Sequence, residues 1–163
     1  MLLYSLSVIS CGSGNALKLW EDFEYVYDRH GTVESYSIAH EKPFVCSWFS
    51  LNGLAFALQY TPPGKIDQII GDNPDWEFVF YCGCNQSDSL VLQQLLDAHD
   101  CSFPIILDSD NELGRINYDN SSYGSITTIC GPDGTKLGSG VIGTSMSFFD
   151  SSFEDAKIRL GLH

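Results

Sequence analysis

The stretch FVFYCGCNQSDS, residues 78–89, places Cys82 and Cys84 one residue apart. Thiols at that spacing can form a redox pair, supply half of a soft-metal site, or simply sit near a turn. In a regular strand, residues i and i+2 lie about 6.6 Å apart, at two rises of roughly 3.3 Å each. A disulfide needs Cα atoms about 5.5–6 Å apart, so bridging this pair requires the chain to fold back at Gly83. Glycine allows such a bend at little steric cost, but the small ring would be strained and easily reduced. Two inert thiols in a tight loop are therefore expected. A labile redox pair is the alternative, and a structural disulfide is the least favoured outcome.

The remaining reactive side chains form weaker patterns. Cys46 lies inside an apolar run and Cys130 at the end of one, where a free cysteine behaves as core filler. Cys101 sits in a turn and receives no role. His30, His40, His99 and His163 are scattered, and none has metal-ligand spacing with a cysteine pair. Asp108, Asp110 and Glu112 could hold a hard cation, but Leu113 stands where an EF-hand loop has glycine, and helix capping explains the acids more simply. There is no Gly-rich phosphate loop and no G-x-S-x-G motif, and Ser47, Ser50 and the serines of 121–125 lack an identifiable His partner. No metal and no cofactor are expected.

These residues need elements to position them, and the chain can build those elements. Its 163 residues suffice for one domain with a real core, and 44% hydrophobic residues with ten Phe, eight Tyr and three Trp argue against disorder. Eight basic against 21 acidic residues give a net charge of −13, which repels phosphate backbones and excludes nucleic acid as a partner. Residues 17–42 suggest a hairpin around Asp28-Arg29-His30-Gly31. Strands follow at 44–49, 76–81 and 103–107, and helices at 51–60, 65–70, 89–99 and 111–117. Pro62-Pro63 must break or kink the first helix. Ser87 or Asp88 would cap the helix at 89–99, whose apolar face is Leu90, Leu92, Leu95 and Leu96, and Asp108 or Asp110 the one at 111–117. A hairpin, 125–130 and 136–142, turns at Gly131-Pro132-Asp133-Gly134, and an amphipathic helix closes at 148–162. This order predicts an α/β fold whose parallel strands are extended by an antiparallel hairpin. Residues 1–16 would be a signal remnant and tether, and 17–163 a single domain.

The order resembles the thioredoxin-like fold, and specifically the thioredoxin-like and redoxin proteins of bacterial envelopes. PFVCSWFSLNGLA is similar to the family's strand-to-helix junction, V-L-V-N-F-W-A-S-W-C-G-P-C, with Trp48, Ser50 and Gly53 matching its Trp, Ser and Gly. FPIILDSDNELGRIN and GSITTICGPDGTKL resemble its later strand-helix and hairpin. The resemblance covers about 43–160. It also marks departures. The redox motif falls on Asn52, Gly53, Leu54 and Ala55, and no cysteine occurs between Cys46 and Cys82. Dithiol exchange needs a thiolate at a helix N-terminus and a second thiol to resolve the mixed disulfide, and these four side chains supply neither. The family's cis-proline falls on Ser125 or Ile126. The resemblance thus implies a degenerate site beside a candidate binding crevice of Trp48, Phe49, Asn52 and Phe80.

Val8-Ile9-Ser10-Cys11 resembles the lipobox of bacterial lipoproteins, in which the cysteine is acylated, and Gly12, Ser13, Gly14 and Asn15 would be a flexible tether. No Lys or Arg precedes the apolar run, a departure from a signal's n-region, and a buried N-terminal strand is the competing reading. With Cys11 acylated, five cysteines remain, an odd number that leaves a free thiol. The function expected is a non-catalytic binding or scaffold module on a lipid-anchored envelope protein, with an unknown protein or small ligand as partner. The alternative is a divergent thiol–disulfide oxidoreductase using Cys82 and Cys84.

Overall fold

The computed structural model describes residues 17, 19, 25–34, 36–39, 41–118, 124–143 and 145–162. In chain order, β1 (Val26–Asp28) and β2 (Gly31–Thr32) form a short hairpin, followed by β3 (Phe44–Ser50), α1 (Leu51–Tyr60), α2 (Lys65–Asp72) and β4 (Glu77–Gly83). Then come α3 (Ser89–Ala98), β5 (Ile105–Leu107), α4 (Glu112–Tyr118), β6 (Ser125–Cys130), β7 (Lys136–Gly140) and α5 (Met146–Leu160). Cys11 and the proposed tether lie outside the described residues.

A run as apolar as Phe44–Phe49 satisfies its backbone best between two other strands, and β3 is placed so. It pairs in parallel with β4 and antiparallel with β6, in a seven-stranded sheet ordered β2-β1-β5-β4-β3-β6-β7. β4 and β5 are parallel as well, and β6–β7 is the antiparallel extension, as the β-α-β order predicts. Alternating side chains divide the core into two layers. Phe49, Phe80, Cys82 and Ile105 pack with α1, α2, α3 and α5 on one face. Cys46, Trp48, Tyr81 and Ile106 pack with Leu113 of α4, Leu17, Leu19 and Ile38 on the other.

Several boundaries differ from the sequence reading for identifiable reasons. β4 does not stop at Tyr81, because β3 offers ladder partners as far as Ser50, opposite Gly83, and β5 pairs Leu107 with Cys82. Cys82 is thus a strand residue rather than a loop residue. β5 begins only at Ile105, since Pro104 has no N–H to give a ladder. Asp88 does not cap α3 with its side chain. Its carboxylate instead accepts the Asn85 N–H at 3.1 Å, closing a 3-10 turn at Gln86–Asp88. Leu90 is 62% exposed, because it lies about 200° around the helix from Leu92, whose stripe with Leu96 faces the core. α1 ends before Pro62-Pro63, and α2 restarts from Gly64 at φ 70, a left-handed position that glycine takes without strain.

The α4 side is organised by Asp108, which is fully buried. Its Oδ2 accepts the Trp48 indole N–H and the Gly114 N–H, both at 3.0 Å, and its Oδ1 accepts the Leu113 N–H at 3.2 Å. Asp108 is thus the cap of α4 and a link from that helix to β3. Asp108→Ala leaves these donors buried and unsatisfied, at about 1–3 kcal/mol each. Urea unfolding is therefore expected to show a loss of more than about 3 kcal/mol. A change within about 0.5 kcal/mol, as at an ordinary surface position, would show that this carboxylate does not tie α4 to the sheet.

Candidate functional site

The position that the resemblance marks as a redox site is the start of α1. Ser50 caps the helix: its backbone is extended (φ −73, ψ 160) and its Oγ accepts the Gly53 N–H at 3.0 Å. The same residue binds the segment entering β6, giving its backbone N–H to the Gly124 carbonyl at 2.9 Å and its hydroxyl at 3.2 Å. Gly53 makes the approach possible. A Cβ there would stand 1.5 Å from the Gly124 oxygen, a distance no real side chain tolerates. Backbone therefore fills the space in front of the helix. Asn52 is exposed, Leu54 is wholly in the core and Ala55 is half-buried, so the four residues of this turn share no chemistry.

Ser125 and Ile126 open β6 opposite Phe49 and Trp48, and no described peptide bond is cis. These residues do face the end of β3 and the start of α1. Of the candidate crevice, Trp48, Phe49 and Phe80 are 3%, 1% and 1% exposed, and only Asn52 reaches solvent. Trp48 packs on one face of the sheet, Phe49 and Phe80 on the other. The fold does not bring them together, and these four residues do not line an open crevice. Period-two alternation in the sequence already separated Trp48 from Phe49. It left hidden the indole's partner Asp108, sixty residues away.

The described cysteines are all buried, and none of them is in a disulfide. Burial pushes the Cys101 and Cys130 thiols up to about 12, and both are poor nucleophiles. Cys82 and Cys84 differ from these. Cys84 donates its N–H to the Cys82 carbonyl at 3.0 Å, so the chain does turn back at Gly83 and is not extended there. Interaction between the two neighbouring thiols raises the Cys82 pKa and lowers that of Cys84. Gly83 has a reason the sequence did not disclose. A Cβ there would lie 2.6 Å from the Trp48 ring. Gly114 is constrained likewise, its added Cβ falling 2.8 Å from the same indole. Among the described residues, no three His, Cys, Asp or Glu side chains converge as a metal site, and no helix is long and apolar enough to cross a membrane.

The outer faces of α1 and α3 carry exposed apolar side chains, as parts of α4 and α5 also do. No charged residue occurs between Phe44 and Gly64, and none between Ser89 and Leu96. Phe56 and Tyr60 of α1 are 53% and 61% exposed, and their rings pack tilted at 54° with centroids 4.6 Å apart. α3 packs beside α1 and leaves Leu90 and Val91 in solvent.

No family model matches this chain, and no curated protein matches it in sequence. Solved structures do match. A thiol:disulfide interchange protein of the DsbE type from Chlorobium tepidum superposes with a TM-score of 0.57 at 8% identity, covering 90% of this chain and 99% of its own. AhpC from Enterococcus faecalis gives 0.57 at 12%, covering 90% and 93%. A thioredoxin-like protein solved in solution in its oxidized form gives 0.55 at 16%, covering 83% and 90%. At such identities the likeness is one of fold, and it agrees with the mixed sheet and flanking helices described above. The chain has the thioredoxin-like fold.

Proposed function

We propose that this chain is a non-catalytic thioredoxin-like module of a lipid-anchored envelope protein, acting by binding rather than by dithiol exchange. The observation that carries the reading is the start of α1, where Asn52-Gly53-Leu54-Ala55 offers no thiol and the Gly124 peptide occupies the approach. A thiolate attacking a polypeptide disulfide must be both present and reachable there. Neither condition holds. The exposed aromatic pair Phe56 and Tyr60, on a helix without a charged residue, supports the binding half of the reading, with Leu90 and Val91 exposed on the neighbouring α3. The partner is a protein or small ligand that this apolar face would accept.

The second reading, an oxidoreductase that moved its thiols to Cys82 and Cys84, is supported by the turn that closes on the pair, with the Cys84 N–H on the Cys82 carbonyl at 3.0 Å. Turnover of a protein disulfide through it is opposed by burial, with Cys82 at 0% and Cys84 at 7% exposure. In an insulin-reduction assay, catalytic amounts of the protein are expected to add nothing to the reductant alone, and the Cys82→Ser/Cys84→Ser variant should behave identically. A rate approaching that of a thioredoxin, silent in the double variant, establishes the second reading instead.

The contact face is tested in cells with a photo-crosslinking residue at Tyr60. It should give a discrete adduct that the same residue at Asp133, an exposed turn position, does not give. Equal adducts from both positions would remove the assignment. Anchoring rests on Val8-Ile9-Ser10-Cys11, and two acyl chains hold a protein stably where one binds marginally. Palmitate labelling should vanish in Cys11→Ala. Labelling that persists, or a mature cellular protein that keeps Met1, would sink the lipoprotein reading.

A further inference from the structure

The turn at Cys82-Gly83-Cys84 is separate from the α1 position, and the binding reading makes no use of its thiols. The Cys84 N–H closes a three-residue γ-turn on the Cys82 carbonyl at 3.0 Å, with Gly83 at negative φ. That carbonyl also accepts the Asp108 N–H at 2.9 Å, so the turn is fixed to the start of the α4 segment. The Trp48 ring lies against Gly83 from the α4 side. Both cysteine side chains join the core layer beneath α1 and α3, on one face of the sheet. The turn draws the two Cα atoms closer than the about 6.6 Å of an extended strand, toward the separation a disulfide needs.

The two thiols are not equivalent. Interaction with the Cys82 thiol lowers the Cys84 pKa, against burial and the negative Asp88 nearby. The same interaction, with burial and the Asp108 and Asp88 charges, raises that of Cys82. Cys84 is also the member that reaches the surface, beside the exposed residues Asn85, Gln86 and Ser87. The other described cysteines offer no competing pair of this kind. Cys46 and Cys130 are diagonal neighbours on β3 and β6, a relation that sets residues about 7–8 Å apart, past disulfide reach.

We propose that Cys82 and Cys84 form a reversible two-electron redox site that closes an intrachain disulfide when oxidised by a small-molecule disulfide. The Cys84 thiolate attacks one sulfur of the oxidant. The oxidant's S–S bond breaks, and one thiolate leaves. Cys82 then attacks the Cys84 sulfur of the mixed disulfide, its proton passing to the departing thiolate, and the second thiol leaves. The chain loses two electrons and two protons, and the oxidant becomes two thiols. A small oxidant is specified because so little of Cys84 is exposed. The ring closed across one residue is strained, and a strained bridge is readily reduced again.

The test uses the full chain with Cys11→Ser, reduced and then incubated with excess oxidised glutathione before alkylation and peptide mapping. Cys82 and Cys84 should lose their alkylation together, with no glutathione retained, and regain it in a modest excess of reduced glutathione. Cys46, Cys101 and Cys130 should stay alkylatable once the protein is unfolded. Cys82→Ser should trap glutathione on Cys84, and Cys84→Ser should not react. Persistent alkylation of both thiols, glutathione left on Cys84 in the Cys82-containing chain, or closure of another pair would each overturn the proposal. The mapping needs neither single variant, so misfolding of one leaves it decisive. Stoichiometric closure without insulin turnover would leave the binding reading standing beside it.

Discussion

One buried carboxylate holds the α4 side of this protein together. Taking a carboxylate out of water costs several kcal/mol, and the Asp108 side chain recovers it through three N–H donors at roughly 1.5–3 kcal/mol each. The donors come from different places. One is the Trp48 indole on β3, and two are backbone groups at the start of α4. The bond to Trp48 fixes the indole plane, and the indole leaves no room for a Cβ at Gly83 or Gly114. Two glycines on different elements therefore answer to a single ring, and the geometry of the Cys82–Cys84 turn follows from it.

A second backbone constraint acts two residues further on, where β3 runs into α1. Gly53 and Gly124 approach until only hydrogen fits between them, and Ser50 binds both partners through its backbone and hydroxyl. A helix N-terminus is where a thiolate would gain most from the unpaired N–H groups. Here Ser50 takes up one of those groups, and a carbonyl from the chain entering β6 stands before them. The helix start has become a joint between β3, α1 and β6.

The sheet was legible because its signals are local. The runs at 44–49 and 76–81 are too apolar for anything but buried strands, and Gly131-Pro132-Asp133-Gly134 announces its turn, closed by the Gly134 N–H on the Gly131 carbonyl at 3.0 Å. What the sequence withheld depends on contacts between distant residues. Trp48 read as a crevice residue because its indole partner is Asp108. Gly83 read only as a residue that lets the chain bend, because the ring that excludes a side chain belongs to β3. The γ-turn at Cys82–Cys84 was invisible for a different reason: spacing alone cannot tell an extended dipeptide from a folded one, and Gly83 permits both.

The margins of the sheet carry a consequence for recognition. β1 covers the apolar edge of β5, and the strand outside it, β2, is two residues long. At the far side Arg159 of α5 takes the Leu137 carbonyl of β7 at 3.0 Å. Among the described residues, an incoming peptide would find on one side a ladder too short to extend and on the other an arginine already bound to the strand. Strand addition, the commonest way for a sheet to capture an extended chain or to pair with its own copies, is therefore discouraged at both margins, and recognition is left to the helical layers.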